Sequence, residues 1–87
     1  MAVRVIGRRM VGGNGHQHIS ELKWTDADET KTSTRAQMVE FVEGGGQAYV
    51  TADGYTAYLR VRPGPPKYVQ TCADGVWKDN LLSLPTF

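Results

Sequence analysis

The sequence predicts an α+β fold in two layers, with one helix packed on one face of a mostly antiparallel sheet of about five strands. Stretches of alternating apolar and polar residues lie on both sides of a single stretch of helical periodicity, in the order β-β-α-β-β-β. Short runs of Gly, Asn, Asp and Pro separate these stretches, as turns require. With 87 residues, of which 40% are apolar and 22% charged, the chain is expected to form a single folded domain over residues 1–87.

The first two strands are predicted to form a hairpin. Residues 2–11 (AVRVIGRRMV) alternate between apolar and basic side chains, which is typical of a strand with one buried face. The Gly-Gly-Asn-Gly turn at residues 12–15 indicates a reversal and pairing with a second strand at residues 18–24 (HISELKW). Ile19 is out of phase with Leu22, which predicts a β-bulge or partial exposure there.

A polar loop at residues 25–31 (TDADETK) is expected to lead into the helix. The helix is predicted to begin near Thr34, because Thr34 and Gln37 have the spacing of a capping box. Glycines at residues 44–46 end it after about three turns. The apolar stripe expected to pack on the sheet consists of Met38, Val39, Phe41 and Val42.

The second half of the sheet is predicted to begin with a hairpin that turns at Ala-Asp-Gly, residues 52–54. The Pro-Gly-Pro-Pro run at residues 63–66 forms a loop, because proline cannot donate a ladder hydrogen bond, and the last strand is residues 67–71 (KYVQT). In the strand at residues 55–62, alternate residues share a face. One face carries Tyr55, Ala57, Leu59 and Val61, and the other carries Thr56, Tyr58, Arg60 and Arg62.

The end of the chain is expected to close over the sheet. Asp79 or Asn80 is predicted to cap a short turn by accepting backbone N–H groups, and Pro85 ends the segment. The alternative is a cation or phosphate site at Asp74, Asp79 and Asn80, although the Asp-x-Asp-x-Asp-Gly pattern of a calcium loop is absent. The residues expected to cover the sheet edge are Leu81, Leu82 and Leu84.

Three segments of this region resemble the end of a small bacterial family catalogued as domain of unknown function three-eight-nine-two. They are residues 68–71 (YVQT), 73–75 (ADG) and 79–85 (DNLLSLP). The helix with its trailing glycines and the His18-Ile19 strand are also similar to that family, so the resemblance covers most of the chain. It implies no activity and no catalytic or binding residues.

Composition restricts the classes of function. The net charge of +1 gives no global attraction to nucleic acid or an anionic membrane, so any such attraction requires a local patch. A single cysteine, Cys72, excludes an internal disulfide and favours a reducing compartment. No apolar run is long enough for a membrane span or an export signal, and we expect the protein in a bacterial or phage cytoplasm. No catalytic residue or cofactor is predicted, because Cys72 and the serines lack activating neighbours, and an enzyme is the less favoured class.

His16 and His18 would lie on one side of an extended segment, but a third ligand is not evident and no metal site is assigned.

The surface best suited to binding is the outward face of the strand at residues 55–62. Aromatic rings that stack on bases, beside guanidinium groups that bind phosphates, are the components of a site for single-stranded nucleic acid or nucleotides. The alternative is a solvated sheet face whose long side chains prevent aggregation. The candidate residues are Tyr58, Arg60, Arg62, Arg4 and Arg8.

Trp24 is predicted to lie in the core, whereas Trp77 is either an exposed anchor for a partner or packed on its own closing segment.

The sequence favours a small non-enzymatic binding or accessory module, whose partner is an unknown protein or small ligand and not a membrane. The alternative function is binding of nucleic acid or nucleotides through the basic and aromatic face. A third class, an enzyme or metal protein, would use His16, His18 and the terminal aspartates.

Overall fold

The computed structural model of the protein describes residues 2–13, 15–52, 54–64 and 66–87. Within them lie seven strands, one α-helix and two 3₁₀ helices. The strands are β1 (Ala2–Met10), β2 (Ile19–Asp26), β3 (Glu29–Thr34), β4 (Gln47–Ala52), β5 (Tyr55–Arg62), β6 (Tyr68–Ala73) and β7 (Val76–Lys78). The helix α1 is Arg35–Glu43, and the 3₁₀ helices are η1 (His16–His18) and η2 (Asn80–Ser83).

All seven strands form one sheet in the order β3-β2-β1-β4-β5-β6-β7. Of the strand pairs in the described residues only β1–β4 is parallel, because α1 connects the two halves of the sheet, and an isolated parallel bridge joins Arg8 to Thr86. The predicted α+β class, the single helix and the mostly antiparallel sheet are therefore confirmed. The predicted five strands in the order β-β-α-β-β-β are wrong, because β3 and β7 add to them.

Both additional strands follow tight turns. Residues 25–31 are not a loop: β2 continues to Asp26, Ala27 takes a left-handed φ of 49°, and β3 begins at Glu29. At the other edge, Asp74 and Gly75 have φ values of 52° and 76°, as in the two-residue turns that match strand twist. The predicted turn or loop residues Asn14, Asp53 and Pro65 lie outside the described residues.

The helix begins as predicted. Thr34 Oγ1 accepts a hydrogen bond from the Gln37 N–H at 3.2 Å, and Gln37 Oε1 accepts one from the Thr34 N–H at 2.9 Å. Met38 and Val39 are buried, and Phe41 and Val42 pack against the core. The helix is about 14 Å long and contacts β2, β3, β4, β5 and β6, so it lies across the strands on one face of the sheet.

Two irregularities in the β1–β2 register decide which side chains face the helix. The extra residue Ile6 lies on β1 between the Val5 and Gly7 pairs, and the extra residue Ser20 lies on β2 between Glu21 and Ile19. The second irregularity returns Ile19 to the core side, where it is 1% exposed. This confirms the bulge that the phase of the sequence predicted.

The closing segment covers the core, although not by the predicted cap. Leu81 is fully buried, and Leu82 and Leu84 pack against the core. Asp79 precedes η2 without a capping hydrogen bond from its side chain. Asn80 acts through its amide instead: its Oδ1 accepts from Thr71 Oγ1 at 3.2 Å. Its Nδ2 also donates to the Tyr55 hydroxyl at 3.0 Å.

Candidate functional site

The sheet face turned away from α1, which we call the outer face, carries a continuous row of side chains. The strand register pairs Arg4 with Tyr49, Tyr49 with Tyr58, Tyr58 with Cys72, and Cys72 with Trp77. Because paired residues share a face, these side chains cross β1, β4, β5, β6 and β7. Tyr58 is 44% exposed and Trp77 is 41% exposed, so their rings are accessible to a ligand.

Two tyrosines in this row pack against each other. The ring centroids of Tyr49 and Tyr58 are 6.0 Å apart, with an interplanar angle of 52°. This distance lies within the range of favourable aromatic pairs. The contact restricts the rotamer of the exposed Tyr58 ring, so a ligand stacking on it meets a partly ordered surface.

Arg62 and Trp77 form a second ordered unit on the outer face. The Arg62 guanidinium carbon lies 4.2 Å from the centroid of the Trp77 ring. Gln70, which is 9% exposed, accepts a hydrogen bond from Arg62 Nη1 at 3.0 Å and donates one to the Lys78 carbonyl at 3.2 Å. Because both the oxygen and the nitrogen of the buried Gln70 amide have hydrogen-bond partners, this amide fixes the Arg62 guanidinium over the Trp77 indole.

The outer face is much more basic than the whole chain. Within the described strands it carries five cationic residues and one carboxylate, Glu21, while Asp74 in the β6–β7 turn borders its groove. The resulting local charge of +4 contrasts with the net charge of +1, and the carboxylate of Glu21 is paired with Arg9 at 3.3 Å. The five cations are Arg4, Arg9, Lys23, Arg60 and Arg62.

An open groove of about 980 Å³ lies over the β5–β7 half of this face. Tyr58, Arg60, Cys72 and Trp77 line it from the outer face. The groove also extends to the end of α1 and to the core side of β5, and it includes two carboxylate residues. These further lining residues include Val42, Glu43, Leu59, Val61 and Asp74. The volume of the groove is at the upper end of the range for small-molecule sites, and an open shape suits a ligand that extends beyond it.

Four of the five predicted residues share the outer face, and Arg8 does not. The Ile6 bulge brings Arg8 opposite Leu22, on the side of the core. There Arg8 Nη2 donates a hydrogen bond to the Leu82 carbonyl at 2.8 Å. Its placement beside Arg4 was wrong because a one-residue bulge reverses the side on which every later residue lies.

The histidines do not lie on one side of an extended strand, because they belong to η1. His16 is 8% exposed, and its Nε2 lies 4.0 Å from Asp79 Oδ1. Burial lowers the pKa of His16, although the nearby Asp79 opposes that shift. The His18 ring covers Gly13. No group of three or more His, Cys, Asp or Glu residues suited to a metal ion occurs in the described ranges.

A smaller cavity of about 280 Å³ lies between α1 and the β1–β3 side of the sheet. Trp24 borders it, half-buried against the core as predicted, and its Nε1 donates a hydrogen bond to Ser33 Oγ at 2.9 Å. The other lining residues are apolar, so this cavity has few groups that would orient a ligand.

Sequence reasoning missed Tyr49, Gln70 and Lys23 as outer-face residues. Tyr49 has the correct alternation within its strand, but only the β1–β4 and β4–β5 registers bring it beside Arg4 and Tyr58. Gln70 lies in a short strand and makes its contribution through hydrogen bonds to Arg62 and Lys78, on or beside the two strands that flank it. Tyr49 is placed by the β1–β4 pairing, which is distant in sequence, whereas Gln70 and Lys23 are placed by pairing between strands that are consecutive in the chain.

The fold and this face define a small two-layer α+β protein with an open sheet face that is basic and aromatic. The chain belongs to the family described as Protein of unknown function (DUF3892), whose sequence model matches residues 1–85. The family membership predicted from the closing segment is thereby confirmed. No curated protein and no solved structure matches the chain. None of the helices in the described part of the chain is long and apolar enough to cross a membrane.

Proposed function

We propose that the protein is a non-enzymatic binding module whose outer face binds nucleotide units of nucleic acid. The observation that supports this function most directly is the cross-strand row, in which Tyr58 and Trp77 are exposed at opposite sides of the β5–β7 groove. Arg60 and Arg62 lie on the same face beside these rings. Exposed rings beside guanidinium groups match the bases and phosphates of a single strand.

The bases stack on Tyr58 and on the face of Trp77 that Arg62 leaves open. Stacking of a base on an aromatic side chain contributes about 1–3 kcal/mol and depends little on base identity. The contact between Tyr49 and Tyr58 and the hydrogen bond from Arg62 to Gln70 order these rings and charges before binding. Less conformational entropy is then lost when the ligand binds.

The phosphates contact Arg60, Arg62 and Arg4. Arg60 and Arg4 are exposed, and neither forms an ion pair with a carboxylate within the described residues. Arginine stays protonated in proteins, so the face offers permanent charge for binding in place of proton transfer. A cytoplasmic location, which the single cysteine favours, remains our prediction for the protein.

The test is fluorescence anisotropy of labelled oligothymidylate and oligouridylate of twelve nucleotides, titrated with the purified protein. Tyr58→Ala is expected to weaken binding by about 5- to 150-fold, which corresponds to the loss of one stacked base. Arg60→Glu is expected to weaken it as well. The matched control is Lys31→Glu, which makes the same charge change on β3, at the far edge of the sheet.

Lys31 is exposed and paired with Glu29 at 2.9 Å, so its replacement affects stability little. Absence of binding by the wild-type protein, or equal losses from Arg60→Glu and Lys31→Glu, would refute the proposal. A ligand whose affinity depends on Trp77 but not on salt would indicate a protein partner anchored by that ring instead.

A further inference from the structure

We infer that the ligand is a strand of several nucleotides, and that it continues from the β5–β7 groove across β1 to a second basic site at Lys23 on β2. This inference rests on the proposed function and specifies its ligand: a polymer in place of a free nucleotide. A nucleic-acid strand and a free nucleotide share the same chemistry, a planar base and a phosphate, but the strand occupies a longer stretch of the protein surface.

The second site is built on a close approach between the chain end and β1. Gly7 pairs with Lys23, and a Cβ added at Gly7 would lie 3.4 Å from Cδ1 of Phe87, so the Phe87 ring lies over this glycine. Lys23 Nζ is 4.9 Å from the centroid of the Phe87 ring, and Arg9 Cζ is 4.8 Å from it. The ring thus holds two cations together on the outer face.

These two cations differ in their availability. Arg9 is paired with Glu21 at 3.3 Å, and its Nε donates a hydrogen bond to the Phe87 carbonyl oxygen at 3.1 Å. Lys23 has no carboxylate within ion-pair distance among the described residues. Lys23 is therefore the cation of this site that is available to a phosphate.

Arg4 connects the two sites. It lies on β1, pairs with Tyr49 on one side and with Thr25 of β2 on the other, and is exposed. Thr25 shares the outer face of β2 with Lys23, two residues away. Cations and rings thus lie on the outer face from β7 to β2, and the carboxylate nearest to the start of this path is Asp74, in the turn beside the groove.

The length of this path exceeds one nucleotide. Five steps between neighbouring strands separate β7 from β2, which is about 24 Å at a strand spacing of ~4.8 Å. At the rise of about 3.4 Å per nucleotide in a stacked strand, the path accommodates about seven nucleotides, and fewer if the strand is extended. A mononucleotide would occupy the β5–β7 groove alone and leave Lys23 without a ligand.

The experiment measures the affinity of thymidine monophosphate and of oligothymidylates of two, four, eight and twelve nucleotides by quenching of tryptophan fluorescence. Affinity is expected to rise by about tenfold or more from the monophosphate to the eight-nucleotide strand and then to level off. Lys23→Glu is expected to weaken binding of the eight-nucleotide strand by about fivefold or more and to change binding of the monophosphate by less than about twofold.

Lys31→Glu is again the matched control, because Lys31 lies on the neighbouring strand with its side chain on the opposite face. Arg4→Glu is a second variant on the same path, and it is expected to act in the same direction as Lys23→Glu. Circular dichroism verifies that each variant is folded before its affinity is compared.

The outcomes separate the inference from the proposed function. Affinity that is independent of length, with a loss on Tyr58→Ala, would overturn the inference and retain a nucleotide-binding face. Affinity that rises with length but responds equally to Lys23→Glu and Lys31→Glu would also overturn it, because the strand would then follow another path. Failure of every length to bind would overturn both.

Discussion

Replacement of Arg60 by glutamine is expected to reduce the salt dependence of nucleic-acid binding by about one phosphate contact. Arg60 is exposed on β5, opposite Gln70 in the register, and no ion pair with a carboxylate holds it among the described residues. Its loss therefore changes the folded protein little. An effect on binding would then report a direct contact between the guanidinium group and the ligand.

The magnitude follows from the cations on the proposed path. Each phosphate neutralised on a single strand contributes about 0.7 to the slope of log affinity against log salt, so contacts from Arg4, Lys23, Arg60 and Arg62 predict a slope of about −2.8. Affinity then falls about 50-fold between 50 and 200 mM salt. With Arg60→Gln the slope becomes about −2.1, and the fall over the same range is about 18-fold.

The assay is anisotropy of a labelled eight-nucleotide strand at four salt concentrations, with Lys31→Gln as the control of equal charge change. Because the slope counts released counterions, it is less sensitive than a single affinity to small changes in fold. A slope that Arg60→Gln leaves unchanged would refute the contact. So would an equal decrease in slope with Lys31→Gln, since a general effect of net charge would then explain both.

Three further predictions concern stability. Leu81→Ala removes a fully buried side chain from the closing segment and is expected to cost about 2–5 kcal/mol in urea unfolding; a cost below about 1 kcal/mol would contradict its place in the core. Asn80→Ala leaves the buried Thr71 hydroxyl without one partner and is expected to cost about 1–2 kcal/mol of unfolding free energy. Asp79→Ala should be nearly neutral, because the Asp79 carboxylate is 81% exposed and caps nothing. The reverse order of the two losses would restore the capping hypothesis. The pKa of His16 is lowered in the folded protein, so the unfolded chain binds the proton more tightly. Stability measured by thermal unfolding between about pH 5 and 8 should therefore decrease as pH falls below 6.5 and level off below the folded pKa, and His16→Gln should remove that decrease. A wild-type protein without this decrease would show that the imidazole is accessible to water.

Elements defined by local signals could be predicted from the sequence. The capping box at Thr34 and the stripe that begins at Met38 identify α1, because both depend on residues within one or two turns. The alternation from Tyr55 to Arg62 identifies β5 and both of its faces, since the strand is buried on one side only. In each case the information lies within the element itself.

The strand β3 could not be recognised by its hydrophobic pattern, because five of its six residues are exposed and none belongs to the core. The available signal was the β-branched residue at every second position, Thr30, Thr32 and Thr34. The turn before β3 uses Ala27 in a left-handed conformation, which residue preferences do not anticipate. Edge strands with polar side chains are generally difficult to distinguish from loops for this reason.

The candidate site was predictable only within one strand. The exposed side of β5, with Tyr58 and Arg60, follows from alternation, whereas the neighbours of that strand depend on the crossover through α1 that places β4 beside β1. The Ile6 bulge, which sends Arg8 to the core side, has one local signal, the isolated Gly7 within β1. Long-range register, more than residue type, determines which cations share the face.

Nuclear magnetic resonance titration of the ¹⁵N-labelled protein with an eight-nucleotide oligothymidylate tests the central proposal most directly, because it reports on every backbone amide at once. We expect the largest shift changes at Tyr49, Tyr58, Trp77 and Lys23, and small changes along α1 and β3. Changes centred on α1 or on the η2 segment, with the outer face unaffected, would contradict the proposed binding surface.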